Sequence, residues 1–251
     1  MALLHCELDS KSVRMPTSVM AILPHDVIST SQSPKVLYLL HGCSHNYSVW
    51  SRYTSLERYC LPYNLAVIMP EVNRSFYTDM AYGPEYFTYI TEELPGLCES
   101  MFHISTSSED RYIAGMSMGG YGCLKAALSH PECYAGCAAI SAVTNIHTKV
   151  ESTPDSAPKK RDFRAIFGEN LLISDQDDLY TLALQAKASG KPLPDFHLFC
   201  GTKDHFYQEN LEFCDFLKKQ EFSVSFDGWT GTHDWDFWDQ AIFKVITHFF
   251  N

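Results

Sequence analysis

The sequence contains no CxxC pair, no HExxH spacing, no long apolar run and few basic residues for its acidic ones, and each shortage excludes something. Nine cysteines, an odd number scattered from Cys6 to Cys214, fit neither a closed disulfide framework nor a zinc ribbon, so reduced, mostly buried thiols are expected. Eleven histidines without the HExxH pattern give no metal site, and no metal or other cofactor is expected. With 19 Lys and Arg against 30 Asp and Glu, the net charge of -11 argues against nucleic acid or an anionic lipid surface, which are held by neutralising phosphates. No run approaches the roughly 20 apolar residues that cross a bilayer. The stretch from Met1 to Lys11 carries His5, Glu7 and Asp9 where an export signal needs a basic start and an unbroken apolar stretch. A soluble, cytoplasmic chain is therefore expected. Internal repeats and low-complexity tracts are absent as well.

What is present is core. A chain of 251 residues with 45% hydrophobic content can bury a sizeable interior, and one domain over 1–251 is expected. Short β-branched or aromatic runs predict buried strands at Val36 to Leu40, Ala66 to Met69, Tyr112 to Ala114, Cys137 to Ile140 and Phe196 to Cys200, with a further one at Ser223 to Phe226. Amphipathic stretches between them predict helices at Tyr47 to Tyr59, Tyr86 to Met101, Met118 to Leu128, Leu179 to Ala188, Tyr207 to Lys219 and Trp235 to Phe249. This alternation is that of an α/β protein with a mostly parallel sheet covered on both faces. Leu3 to Leu8 and Ser18 to Leu23 precede the first helix, need no crossover, and are expected as an antiparallel pair at the sheet edge. A surface excursion is expected at about 144–178. It opens with Thr, Ser and Pro, and its Lys159-Lys160-Arg161 cluster reads as a solvated face.

Gly115-Met116-Ser117-Met118-Gly119 has the G-x-S-x-G form and lies between a predicted strand and a predicted helix. A nucleophilic serine must sit at the apex of such a turn, and glycines two residues to either side remove the Cβ atoms that would collide as strand and helix approach. A serine hydroxyl needs a base held by a third group, and the order in this fold class is Ser, then an acid, then His. Asp204 follows the Phe196 to Cys200 strand in Gly201-Thr202-Lys203-Asp204, and His233 lies in Gly231-Thr232-His233 before the last helix. Asp204 could instead only cap the following helix. Asp195 competes for the acid but precedes its strand, at the wrong end of the sheet; Asp175, Asp177 and Asp178 compete more weakly. His205 is the alternative base. The two oxyanion donors are expected from the backbone amides of Met118 and of Cys43, which follows His41-Gly42 after the first parallel strand. Nothing marks Cys43 itself as a thiolate nucleophile. Tyr77, Tyr82, Trp235 and Trp238 are candidates for the pocket wall, with the core as their alternative place.

The chain resembles the esterase D superfamily of α/β-hydrolases, and within it the small intracellular tributyrin esterases. The resemblance rests on Leu39-Leu40-His41-Gly42 with Trp50, on Ser75-Phe76-Tyr77-Thr78-Asp79 with Tyr86 and Glu93-Leu94-Pro95, on the Gly115 to Gly120 elbow, on Gly201 to Asp204, and on His233-Asp234-Trp235 with Phe237-Trp238. It implies the α/β-hydrolase fold and hydrolysis of small-molecule, short-chain acyl esters through an acyl-enzyme, with Ser117, Asp204 and His233 as the triad. The same superfamily holds S-formylglutathione hydrolases, feruloyl and acetylxylan esterases and mycolyltransferases, so thioester hydrolysis, a bulkier ester or acyl transfer stay open, as does a homo-oligomer. A hydrolase fold kept only as a binding module is disfavoured by the intact set of three residues.

Overall fold

The computed structural model describes residues 1–24 and 32–251. Eight strands form one sheet: β1 (Ala2–Ser10), β2 (Met15–Leu23), β3 (Lys35–Leu40), β4 (Leu65–Pro70), β5 (Arg111–Met116), β6 (Gly136–Ile140), β7 (Asp195–Gly201) and β8 (Val224–Trp229), in the spatial order β1-β2-β4-β3-β5-β6-β7-β8. β1 pairs antiparallel with β2, and β2 antiparallel with β4; β4 through β8 run parallel. The antiparallel edge and parallel body are those expected from the sequence.

Successive side chains on a strand point to opposite faces, so the continuous apolar runs feed two cores. One face receives Val36, Tyr38, Leu40, Ile113 and Leu198 and is covered by α4 (Leu94–Phe102), α5 (Met118–Ser129), α8 (Leu179–Ala188) and α9 (Tyr207–Lys219). The other receives Leu37, Leu39, Ala114, Met116 and Phe199 beneath α1 (Val49–Tyr53), α2 (Leu56–Cys60) and α10 (Trp235–Phe250).

Three expectations change in detail. The helix expected over Tyr47 to Tyr59 is split into α1 and α2 at Thr54, whose hydroxyl accepts from the Leu56 amide at 3.2 Å. The helix expected over Tyr86 to Met101 is α3 (Tyr86–Thr88), a π turn over Tyr89–Glu93, and α4, because Pro95 in the first turn of α4 has no N–H to continue an α ladder. The excursion contains two helices that its composition hid. α6 (Ile146–Glu151) is capped by Asn145, which accepts from the Thr148 amide at 3.0 Å, and α7 (Pro158–Phe167) starts on a proline. The basic cluster is therefore only partly a solvated face: Lys160 is 7% exposed and donates to the Val150 carbonyl at 2.8 Å.

His197 on β7 makes stability sensitive to acid. Its ring stacks on Phe199 and meets the His248 ring at 4.6 Å, and burial, then His248, pull its pKa down to about 4 against the pull of Asp227. The unfolded chain takes up this proton as pH falls through about 6.5, whereas the native protein does so only near 4, so stability drains away across that window. Between pH 7 and 5 the loss assigned to this group is about 1–2 kcal/mol after allowance for partial solvation. Urea midpoints at the two pH values should differ less in His197→Phe than in the parent protein; an equal difference would place the acid sensitivity elsewhere.

Candidate active site

β5 brings the chain up to Ser117 and α5 carries it away, and the reversal forces Ser117 to φ 56°, ψ -114°. Positive φ is unfavourable for a residue with a Cβ and persists only where the surroundings over-determine it. Here the Ser117 amide donates to the Ile140 carbonyl at 2.9 Å and its carbonyl accepts from the Tyr121 amide at 3.1 Å. A Cβ at Gly119 would lie 2.5 Å from the Leu40 carbonyl oxygen, and one at Gly115 would strike the Gly119 carbonyl. That is the packing reason for both glycines.

The loops after β7 and β8 meet above this turn. Ser117 Oγ lies 3.1 Å from His233 Nε2, and His233 Nδ1 lies 2.9 Å from Asp204 Oδ2. The edge-on Trp238 ring, centroid 4.9 Å from that of His233, holds the imidazole from the side. The Asp204 side chain is fully shielded from solvent, and its Oδ1 accepts the Phe206 amide at 2.9 Å. Burial opposes its ionisation, but the hydrogen bond and charge of His233 with the Phe206 amide outweigh it and hold the carboxyl below its ordinary value.

The competitors lie elsewhere or are committed. Asp195 is at the opposite end of β7, Asp177 pairs with Lys125 at 2.7 Å, and Asp178 caps α8 through the Thr181 amide at 3.1 Å. His205 faces Asp204 at 3.4 Å but is directed to solvent, its side chain 61% exposed. Asp204, His205 and His233 also place ligating atoms within 4.8 Å of one another. The Asp204 and His233 atoms are already engaged in the hydrogen bonds above, which accounts for the cluster without an ion.

Cys43 borders the cavity over Ser117, and Met118 follows Ser117 directly. Met118 opens α5, where first-turn amides have no intrahelical acceptor, while its side chain is buried in the core. The Cys43 loop is braced one bond at a time. Trp50 Nε1 donates to the Leu40 carbonyl at 3.1 Å, Tyr77 O–H donates to the His41 carbonyl at 2.9 Å, and His41 Nδ1 donates to the Gly42 carbonyl at 2.9 Å while Nε2 accepts the Val72 amide at 3.3 Å. Burial pushes the Cys43 thiol pKa up, contrary to what a thiolate nucleophile needs.

A cavity of about 460 Å³ opens over Ser117. Trp235 and Trp238 line it with His45, Phe76, Val143 and Phe206. Two expected wall residues do not. Tyr77 is wholly buried, its ring filling the space that a Cβ on Gly122 would need, and it braces the oxyanion loop from below. Tyr82 is 63% exposed, its amide tied to the Ala165 carbonyl at 2.9 Å. Phe76, Tyr77's neighbour, borders the cavity instead, with its ring packed against Tyr121 and Phe163. Tyr77→Phe should lower both thermal stability and kcat, the former by about 1–3 kcal/mol for a buried carbonyl left unpaired, without altering the order of substrate preference. A changed preference with unchanged stability would return Tyr77 to the wall.

A family profile described as "Putative esterase" matches residues 10–249. The chain belongs to this esterase family. The esterase is 32% identical over 255 aligned positions to "Acetyl esterase" of Caldicellulosiruptor saccharolyticus, covering 96% of both chains. Among solved structures it is similar to FphF, a fluorophosphonate-binding serine hydrolase of Staphylococcus aureus, at 36% identity and a TM-score of 0.91 over 100% of this chain and 98% of that one. It is also similar to S-formylglutathione hydrolase FrmB of the same organism, at 35% identity and a TM-score of 0.89 over 100% and 99% of the two chains. The esterase is thus an α/β-hydrolase-fold carboxylic ester hydrolase of the esterase D kind. No described helix is long and apolar enough to cross a membrane.

Proposed function

We propose that the esterase hydrolyses short-chain acyl esters with Ser117 as nucleophile, His233 as general base and acid, and Asp204 as the group that orients and charges His233. The reading is carried by the continuous pair of contacts from Ser117 Oγ to His233 at 3.1 Å and from His233 to Asp204 at 2.9 Å, at the apex of a strained strand-to-helix turn. As Ser117 Oγ bonds to the ester carbonyl carbon, its proton passes to His233 Nε2, and the carbonyl oxygen becomes an anion facing the Met118 and Cys43 amides. Collapse expels the alcohol, which takes the proton from His233, and leaves an acyl-enzyme. Water deprotonated by His233 then releases the acid and restores the Ser117 hydroxyl. Asp204 stays ionised throughout, with its second oxygen held by the Phe206 amide. A cavity of about 460 Å³ with aromatic walls supports a small acyl group. All nine cysteines are free thiols, which supports a reducing, cytoplasmic setting.

Fluorophosphonate labelling together with p-nitrophenyl esters from acetate to decanoate tests this reading. One label per chain on Ser117 and a fall in kcat/KM at longer acyl chains are expected. An unlabelled, folded protein that turns over none of the esters would overturn it. Likeness to FrmB favours a thioester as the second reading, and matched oxygen-ester and thioester pairs separate the two.

A further inference from the structure

We propose that Lys149 and Lys159 form an anion subsite at the mouth of the Ser117 cavity, and that the esters taken by this enzyme carry a carboxylate on one side of the scissile bond. The inference rests on the Ser117 reading above and adds the charge of the substrate to it.

Lys149 comes from α6 and Lys159 from the first turn of α7, and both line the cavity that holds Ser117 and His233. In a chain with 30 acidic and 19 basic residues, carboxylates to neutralise them are abundant, yet among the described residues neither lysine has an ion-pair partner. The nearby carboxylates are committed elsewhere. Glu209 accepts the Thr144 and Asn145 amides at 2.6 and 2.9 Å, Asp162 holds Arg74 at 2.8 Å, and Asp155 holds Arg164 at 3.1 Å. Asp234, the one acid among the described residues that line the cavity, caps the Phe237 amide at 3.1 Å and accepts the Thr232 hydroxyl.

The two cations also feel one another. Lys149 lies 4.9 Å above the Phe206 ring, and burial together with the charge of Lys159 lowers its pKa. Both lysines, with Arg74 and against Asp162, pull the Cys43 thiol pKa down from the value to which burial raises it. Glu209 pulls Lys149 the other way, but among the described residues no carboxylate forms an ion pair with either lysine, so a bound anion relieves their mutual repulsion. Ala157 offers no side-chain cap to α7, so the positive end of that helix adds to the same field. Across the cavity, Trp235, Trp238 and a His45 whose pKa is lowered by burial and by neighbouring histidines present an uncharged wall. The cavity is therefore polarised, with a cationic mouth for the charged side of an ester and an aromatic wall for the neutral side.

The test compares kcat/KM within two matched pairs, each corrected for hydroxide-catalysed hydrolysis. On the alcohol side these are 4-acetoxybenzoate and its methyl ester; on the acyl side, p-nitrophenyl hemiglutarate and p-nitrophenyl hexanoate. The native enzyme should favour the anionic member of at least one pair by on the order of tenfold. The pair that shows the preference identifies the side of the ester the lysines face. In the Lys149→Gln/Lys159→Gln variant the ratio should fall towards one, whereas Lys149→Arg/Lys159→Arg should keep it. Ratios near or below one for both pairs in the native enzyme would overturn the proposal, even if no variant folds. So would a ratio that survives in the folded glutamine variant. Failure of the native enzyme on the neutral esters as well would instead sink the Ser117 reading.

Discussion

Ser117→Ala is expected to lower kcat by about 10⁴-fold or more for every ester, with the fold intact. Alanine keeps the Cβ that already tolerates φ 56°, so the backbone meets no conformational demand that serine does not. One oxygen is lost, and its recorded partner is His233 Nε2 at 3.1 Å, a nitrogen that opens onto the cavity and can turn to water. Stability should therefore change by well under the several kcal/mol typical of core substitutions. Fluorophosphonate labelling should vanish with the turnover. Purified Ser117→Ala that still hydrolyses p-nitrophenyl acetate at a tenth of the parent rate would remove Ser117 from the mechanism, whatever its geometry.

Asp204→Asn should lower kcat by up to about 10⁴-fold through the tautomer of His233. The Phe206 amide donates to Asp204 Oδ1 at 2.9 Å, so the oxygen of an asparagine amide is kept at that position and its NH₂ group faces His233 Nδ1. Nδ1 must then accept, the ring proton moves to Nε2, and the nitrogen 3.1 Å from Ser117 Oγ can no longer take its proton. Because the Phe206 bond survives and the shape is unchanged, thermal stability should drop far less than activity. Asp195→Asn and Asp175→Asn should both retain near-parental rates, since the first residue is at the other end of β7 and the second is an exposed turn residue. Parental kcat in Asp204→Asn, with a collapse in either of the other two, would move the acid.

Much of this architecture was legible from the order of residues. The strands of the parallel body are apolar runs bounded by turn residues, and a run buried on both faces looks the same wherever it sits in the sheet. The elbow spacing was equally legible, although only the reason for Gly115 is local, a Cβ there striking the Gly119 carbonyl four residues on, whereas Gly119 is needed because the Leu40 carbonyl of β3 comes close to it. Less legible were the breaks inside helices. The π turn before Pro95 follows from a hydrogen bond that proline cannot donate, and the split at Thr54 goes with one that its hydroxyl accepts, and hydrophobic period registers neither. α6 and α7 are hidden in the composition because Thr, Ser and Pro usually mark loops, whereas here Asn145 and Pro158 serve as helix starts.

The fold class and the serine elbow follow from the order of residues alone, the first from the alternation of apolar runs with amphipathic stretches along the chain and the second from spacing within one short segment, and that order also places an acid and a histidine after the serine. Which carboxylate meets His233 follows from tertiary structure, because Asp204 and His233 come from separate loops 29 positions apart, and Asp195 starts β7 whereas Asp204 lies in the loop beyond its other end. Tertiary structure also separated Phe76 from Tyr77, one lining the cavity and one bracing the oxyanion loop, although the two are adjacent and both aromatic. Lys159 and Lys160 part in the same way, one to the cavity and one to the Val150 carbonyl. Neighbours in sequence leave the backbone in different directions, and what each side chain meets there is set by elements that the chain reaches only much later or much earlier.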